Sequence, residues 1–167
     1  MKYDYEGFRI SVETSKNSRP VFAKGACAVS SVSAQATKLA VDVLKDGGNA
    51  FDAAFMLALS LTVYHPQAGN LGGGGYLIGY RKGNTRPFVI NFRESSPESA
   101  DRSSFLKNDG SVDPAATAFG PKSVCVPGTV KAFFTLQKRY GMLNSSVLLE
   151  ALARRAEEGC ICLLYTS

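Results

Sequence analysis

Apolar positions recur every three or four residues along "AQATKLAVDVLKD". Ala36, Leu39, Ala40, Val43 and Leu44 share one face, and Lys38, Asp42 and Lys45 face the other way. That period predicts an amphipathic helix starting near Ser33. Gly47 and Gly48 stop it, since glycine enters the left-handed region with no Cβ penalty. Asn49 then caps a second helix, Ala50 to Val63, whose first turn carries Asp52 at the positive end of the helix dipole. This helix is apolar on nearly every side, which predicts a buried, central position, and Pro66 ends it. The pattern turns strand-like in "GYLIGYR" (Gly75 to Arg81) and "RPFVINFR" (Arg86 to Arg93), joined by a turn around Lys82-Gly83-Asn84. Shorter strands are expected at Ala26 to Ser30 and in "KSVCVPG", and a short helical piece at Arg102 to Leu106. Two amphipathic helices follow, "GTVKAFFTLQKRYG" ended by Gly141 and "NSSVLLEALARRAEEG" ended by Gly159. Residues 1–24 are polar and expected to be extended or partly disordered. The whole reads as an α/β (α+β) chain.

Composition narrows the function classes. At 167 residues and 45% hydrophobic, the chain can bury one sizeable core. The formal charge of +5 invites a nucleic-acid reading. Its basic residues, however, are interleaved with acidic ones from Lys2 to Arg155, no basic run exceeds two residues, and no nucleic-acid motif is present. An ordinary solvated surface accounts for the charge. The four cysteines have neither metal-ligand spacing nor a disulfide framework, and the single His65 cannot build a metal site alone. Cys27 and Cys125 sit in apolar stretches and are expected to be small buried hydrophobes. The first twenty residues contain no apolar signal-peptide core, and the longest apolar run, "AAFMLALSLTVY", is too short to span a bilayer.

Four consecutive glycines, Gly72 to Gly75, lie between the buried helix and the first strand of the pair. A P-loop would need Lys and a hydroxyl where Tyr76, Leu77 and Ile78 stand. A dinucleotide fingerprint runs strand, glycine turn, helix, and this chain runs helix, glycines, strand. Phosphate cradling is therefore excluded. Spacing alone leaves two readings open: a tight passage between helix and sheet, or a loop that lines a small-molecule pocket with bare backbone.

The segments "GGNAFDAAFMLALSLTVYHPQAGNLGGGGYLIGY", "INFRESSPESADRSSFL", "VPGTVKAF", "RYG" and "ARRAEEG", in this order, resemble the large-subunit N-terminal region of gamma-glutamyltranspeptidases. The likeness covers residues 19–159; residues 1–18 form a polar lead segment, and residues 160–167, "CICLLYTS", are unmatched and expected to be an artefact at the end of a truncated gene product. The resemblance implies part of an N-terminal nucleophile hydrolase αββα sandwich, made as a precursor that cuts itself into large and small subunits. It implies glutathione or other gamma-glutamyl compounds as substrates, the small subunit of the same precursor as partner, and no cofactor, metal or nucleic acid. The nucleophile would be the N-terminal Thr of that small subunit, its own amine serving as base, so no catalytic residue is expected here. Members are typically periplasmic, secreted or membrane-anchored.

By position, Arg93 in "NFRESSP" matches the arginine that grips the α-carboxylate of the gamma-glutamyl group. Its planar fork suits that task and stays charged. Read without the resemblance, Arg93 is a strand-end surface residue paired with Glu94. Glu94 is expected to support Arg93 or the loop, and His65 to be structural. Within the fold, cephalosporin acylases and a capsule depolymerase are alternatives. Outside it, the alternative is a non-catalytic domain that binds a small carboxylate.

Overall fold

The computed structural model describes residues 2–5, 8–11 and 25–160. The expectations for the rest of the N-terminal segment and for residues 161–167 fall outside these. In chain order the elements are β1 (Lys2–Tyr5), β2 (Phe8–Ser11), α1 (Ala34–Lys45), α2 (Ala50–Tyr64), β3 (Tyr76–Gly79), β4 (Phe88–Asn91), α3 (Pro114–Ala118), α4 (Thr129–Tyr140) and α5 (Ser145–Glu158). Short 3-10 turns occupy Arg102–Phe105 and Pro121–Ser123. The chain divides into two units, one from residues 1–70 and 133–167, the other from 71–132.

The first unit is mainly helical. Ser33 is the N-cap of α1, its hydroxyl accepting from Ala36 N–H at 3.3 Å. Asn49 caps α2 by accepting from Phe51 and Asp52 N–H, while the Asp52 carboxylate accepts from Asn49 N–H, a reciprocal capping box. The core is Phe55, Met56, Leu59 and Ala53 of α2 against Ala40 and Val43 of α1 and Leu148 and Leu152 of α5. Phe55 stands edge-on to Phe134, with ring centres 5.2 Å apart. Each large side chain buried in this way stabilises by roughly 1.5–3 kcal/mol. α2 is central as its all-round apolarity predicts: six of its residues, including Ser60, are buried. Residues 2–5 and 8–11 pair as antiparallel strands, Tyr3 opposite Ile10 and Asp4 opposite Arg9, within the segment expected to be extended or partly disordered.

Asn49 also donates from Nδ2 to the carbonyl of Tyr140 at 2.7 Å, so it joins the α1–α2 turn to the end of α4. Asn49→Ala removes both the cap and this tie. It is expected to cost about 1–2 kcal/mol, read as a shift in denaturant midpoint at unchanged slope.

The second unit holds the antiparallel pair β3–β4, with Tyr76 opposite Asn91 and Gly79 opposite Phe88. Both strands are shorter than the expected Gly75–Arg81 and Arg86–Arg93. Pro87 has no N–H to continue the ladder at one end. Two other expected strands do not form. Ala26 to Ser30 finds no ladder partner among the described residues, and the next hydroxyl, Ser31 Oγ, bonds Ser33 O and Thr37 Oγ1 at the start of α1. Just before "KSVCVPG" Pro121 opens a 3-10 turn that takes in Lys122 and Ser123, and among the described residues only Val126 of this stretch pairs, with Ser95. Pro127, without an N–H, cannot extend that bridge. Cys125 is consequently exposed and Cys27 half-buried, not the buried pair that their apolar surroundings suggested. α3, begun by Asp113 as N-cap and Pro114 in the first turn, was not anticipated. Among the described residues no helix is long and apolar enough to cross a membrane.

Candidate functional site

The glycine run resolves in favour of close approach. None of Gly72 to Gly75 has a positive φ; among the described residues the left-handed glycines are Gly47, Gly83, Gly110, Gly120 and Gly159. What Gly74 provides is the absence of a side chain. A Cβ there would lie 2.4 Å from Phe92 O and 2.7 Å from Glu94 N, both backbone atoms. Gly128 meets the same strand exit from another direction, where a Cβ would sit 2.2 Å from Phe92 O. Three sequence motifs thus converge on Phe92: "GGGG", "NFRE" and "VPGT".

Hydrogen bonds fix the convergence. The Gly73 carbonyl accepts from Gly128 N–H at 3.1 Å, from Thr129 N–H at 3.2 Å and from the Thr129 hydroxyl at 2.8 Å. Phe92 N–H donates to Gly75 O at 2.9 Å, and Ser95 and Val126 exchange both backbone bonds. The first turn of α4 is therefore tied to the glycine loop, and the loop to the exit of β4. A carbonyl with three donors on it is rigidly held.

Arg93 stands on that exit, two residues past the end of β4, with its backbone N–H donating to Asn91 Oδ1 at 3.1 Å. Its side chain keeps 62% of its exposure, and Nε lies 3.7 Å from Glu94 Oε2. Among the described residues Glu94 is the one ionic neighbour of this guanidinium. The sequence placed Arg93 at the end of a strand; the structure puts it on irregular backbone braced from two sides by glycines. The arrangement is an exposed, permanently charged fork on a stiff mount, suited to binding a planar anion.

His65 caps the C-terminus of α2, and its Nδ1 lies 2.8 Å from Gln67 Nε2. Its carbonyl accepts from Ala68 and Gly69 N–H, which makes it part of the turn after α2. No cluster of three metal-ligating side chains occurs among the described residues.

The sequence reading undervalued Asp52. Beyond the capping box, its fully buried carboxylate accepts from Gln137 Nε2 at 2.6 Å, from Leu143 N–H at 3.1 Å and from Met142 N–H at 3.1 Å. Burial alone would raise its pKa. The hydrogen bonds from Asn49, Gln137, Met142 and Leu143 outweigh it and hold the carboxyl below its ordinary value. "N-x-x-D" announced the cap, but nothing local announced partners some ninety positions away.

The model of the family described as gamma-glutamyltranspeptidase matches residues 36–162. The chain is 42% identical over 134 residues to the glutathione hydrolase proenzyme of Escherichia coli K12, covering 80% of this chain and 23% of that protein. Its fold is similar to that of the Helicobacter pylori gamma-glutamyltranspeptidase, with a TM-score of 0.78 at 33% identity, over 84% of this chain and 40% of that one. The Pseudomonas nitroreducens gamma-glutamyltranspeptidase, solved in complex with L-DON, gives a TM-score of 0.70 at 37% identity, over 75% of this chain and 37% of that one. The chain thus spans about a quarter of the length of the curated relatives it matches, and its mixed helix-and-strand architecture is part of the N-terminal nucleophile hydrolase fold. With most of its length inside the family model and these likenesses in sequence and fold, the chain belongs to the gamma-glutamyltranspeptidase family.

Proposed function

We propose that this chain is the substrate-gripping part of a gamma-glutamyltransferase or glutathione hydrolase, and that Arg93 binds the α-carboxylate of the gamma-glutamyl group. The observation that carries the reading is the exposed Arg93 fork on the braced exit of β4. The family likeness supplies the substrate class, glutathione and related gamma-glutamyl compounds, and the partner, a small subunit cut from the same precursor.

In the reaction, a hydroxyl nucleophile supplied by that subunit attacks the gamma-carbonyl carbon. The C–N bond breaks, the amine leaves with a proton, and an ester of the gamma-glutamyl group remains on the enzyme. Water or an amino acid then takes the acyl group. Arg93 touches none of the breaking bonds. It holds the far end of the acyl group, so that binding energy from a non-reacting carboxylate orients the reacting carbonyl.

The test uses a precursor that carries this segment together with its nucleophile. It compares a gamma-glutamyl anilide with the same acyl group lacking its α-carboxylate. Arg93→Lys keeps the charge and loses the two-pronged geometry, so one charge-assisted hydrogen bond goes. The kcat/KM ratio between the two substrates should fall about ten- to a hundredfold, corresponding to about 1.5–3 kcal/mol. Equal losses on both substrates would show that Arg93 supports the fold and reads no carboxylate.

A further inference from the structure

Glu94 follows Arg93, and its carboxylate is only partly a surface group. The side chain keeps 27% of its exposure, yet one oxygen, Oε2, is sealed from solvent and has no hydrogen-bond partner. A buried acceptor left unsatisfied is costly and calls for an explanation. The nearest cation is Arg93, whose Nε at 3.7 Å is too far for a hydrogen bond and close enough for attraction. The glycine loop leaves room for this oxygen, because a Cβ on Gly74 would stand 2.9 Å from it. Glu94 N is held against the same glycine, so the carboxylate is anchored at its root.

We infer that Glu94 is a positioning residue for Arg93, with the charge on Oε2 drawing the Nε edge of the guanidinium toward it while the two terminal nitrogens stay free to take a substrate carboxylate. This rests on the reading of Arg93 as the carboxylate anchor. A guanidinium carries one N–H on Nε and four on the terminal nitrogens, so one acceptor can orient the plane without using the end-on fork. An arginine otherwise held only by its own flexible stem loses side-chain entropy when substrate arrives; a partner on Nε makes part of that loss in advance. Glu94 does not touch substrate and takes no part in proton transfer. Its effect runs through Arg93.

The same precursor and substrate pair test it. Glu94→Gln keeps the size and removes the charge. KM for the gamma-glutamyl anilide should rise about three- to fivefold, the range for a partly exposed ion pair, with kcat little altered. The ratio between substrates with and without the α-carboxylate should fall by the same factor. In the Arg93→Lys background, which has no Nε–H of that geometry, the further loss from Glu94→Gln should disappear. Equal losses on both substrates, or an undiminished effect in the Arg93→Lys background, would overturn the inference. If Arg93→Lys discriminates between the substrates and Glu94→Gln does not, the positioning role fails and the anchor stands. If Arg93→Lys itself does not discriminate, both fail. Should Glu94→Gln not process, Glu94→Asp carries the comparison in both backgrounds, and its shorter reach should lower the ratio only where Arg93 is present.

Discussion

Asp52→Ala is expected to destabilise the helical unit by about 3–5 kcal/mol, because it removes a helix cap and takes the acceptor from several donors at once. Its carboxylate takes hydrogen bonds from the N-cap of α2, from the amide of Gln137 on α4, and from the backbone of Met142 and Leu143 ahead of α5. Removing it leaves the buried Gln137 amide short of an acceptor, at about 1–3 kcal/mol, while water can reach the part-buried N–H groups of Asn49, Met142 and Leu143 and offsets some of their loss. Gln137 would keep its bond to Leu143 O at 2.9 Å, but its Oε1 already lacks a partner. The check is the denaturant midpoint of the chain, with hydrogen exchange at Met142 and Leu143. Both amides should lose protection in Asp52→Ala.

The same group gives a pH dependence of known sign. Its pKa is lowered in the folded state, so its contribution is fully present above the unfolded value, about 3.9. It is lost as pH falls through the lower folded value. Stability measured down from pH 5 should therefore fall in acid. The part owed to Asp52 is the difference between wild type and Asp52→Ala, which should narrow over that range. Asp101 and Asp109, held low by hydrogen bonds from Ser103 and Ser111, titrate in the same direction, which is why the difference and not the raw curve is diagnostic. A gap that stays constant below pH 4 would show that the carboxylate holds its partners equally well when protonated.

Gly128→Ala is the second large effect, expected at about 3 kcal/mol, the upper end for overpacking. The new methyl would stand 2.2 Å from the Phe92 carbonyl, and neither atom sits on a flexible side chain. Relief requires that the first turn of α4 move away from β4, which breaks the bonds from Gly128 and Thr129 to Gly73 O. Exchange of the Gly128, Thr129 and Phe92 amides should accelerate together. Gly79→Ala is the control, since its Cβ meets only the far edge of the Phe88 ring, which can turn aside. If both substitutions cost the same, the tight contact at Phe92 is not what makes Gly128 necessary. In a precursor, Gly128→Ala should also weaken gamma-glutamyl substrates, because Arg93 is mounted one residue past Phe92.

The helices and the caps were legible because their determinants are local. Ser33, Asn49 and Gly159 mark ends through side-chain oxygens or a left-handed backbone within a few residues of the helix, and all three cap as their types predict. The β3–β4 pair was legible for the same reason: strand pattern and turn residues adjoin in the chain. The motifs around "GGGG" and "NFRE" carried the family, and Arg93 could be named as a candidate from its place among them.

Tertiary structure alone decided what depends on atoms far apart in sequence. That Gly74 and Gly128 are bare because both press on Phe92 cannot be read from a glycine run, since spacing records no contact across fifty residues. Asp52 looks like a helix cap until Gln137, Met142 and Leu143 arrive, and hydrogen bonds formed on folding then turn a dipole-friendly residue into the polar centre of a unit. The strand expected in "KSVCVPG" did not form because a strand needs a partner along its whole length, and among the described residues only Ser95 pairs with it, at Val126. Sequence fixes which groups are available, while folding decides which of them meet, because hydrogen bonding and close packing act over a few ångströms.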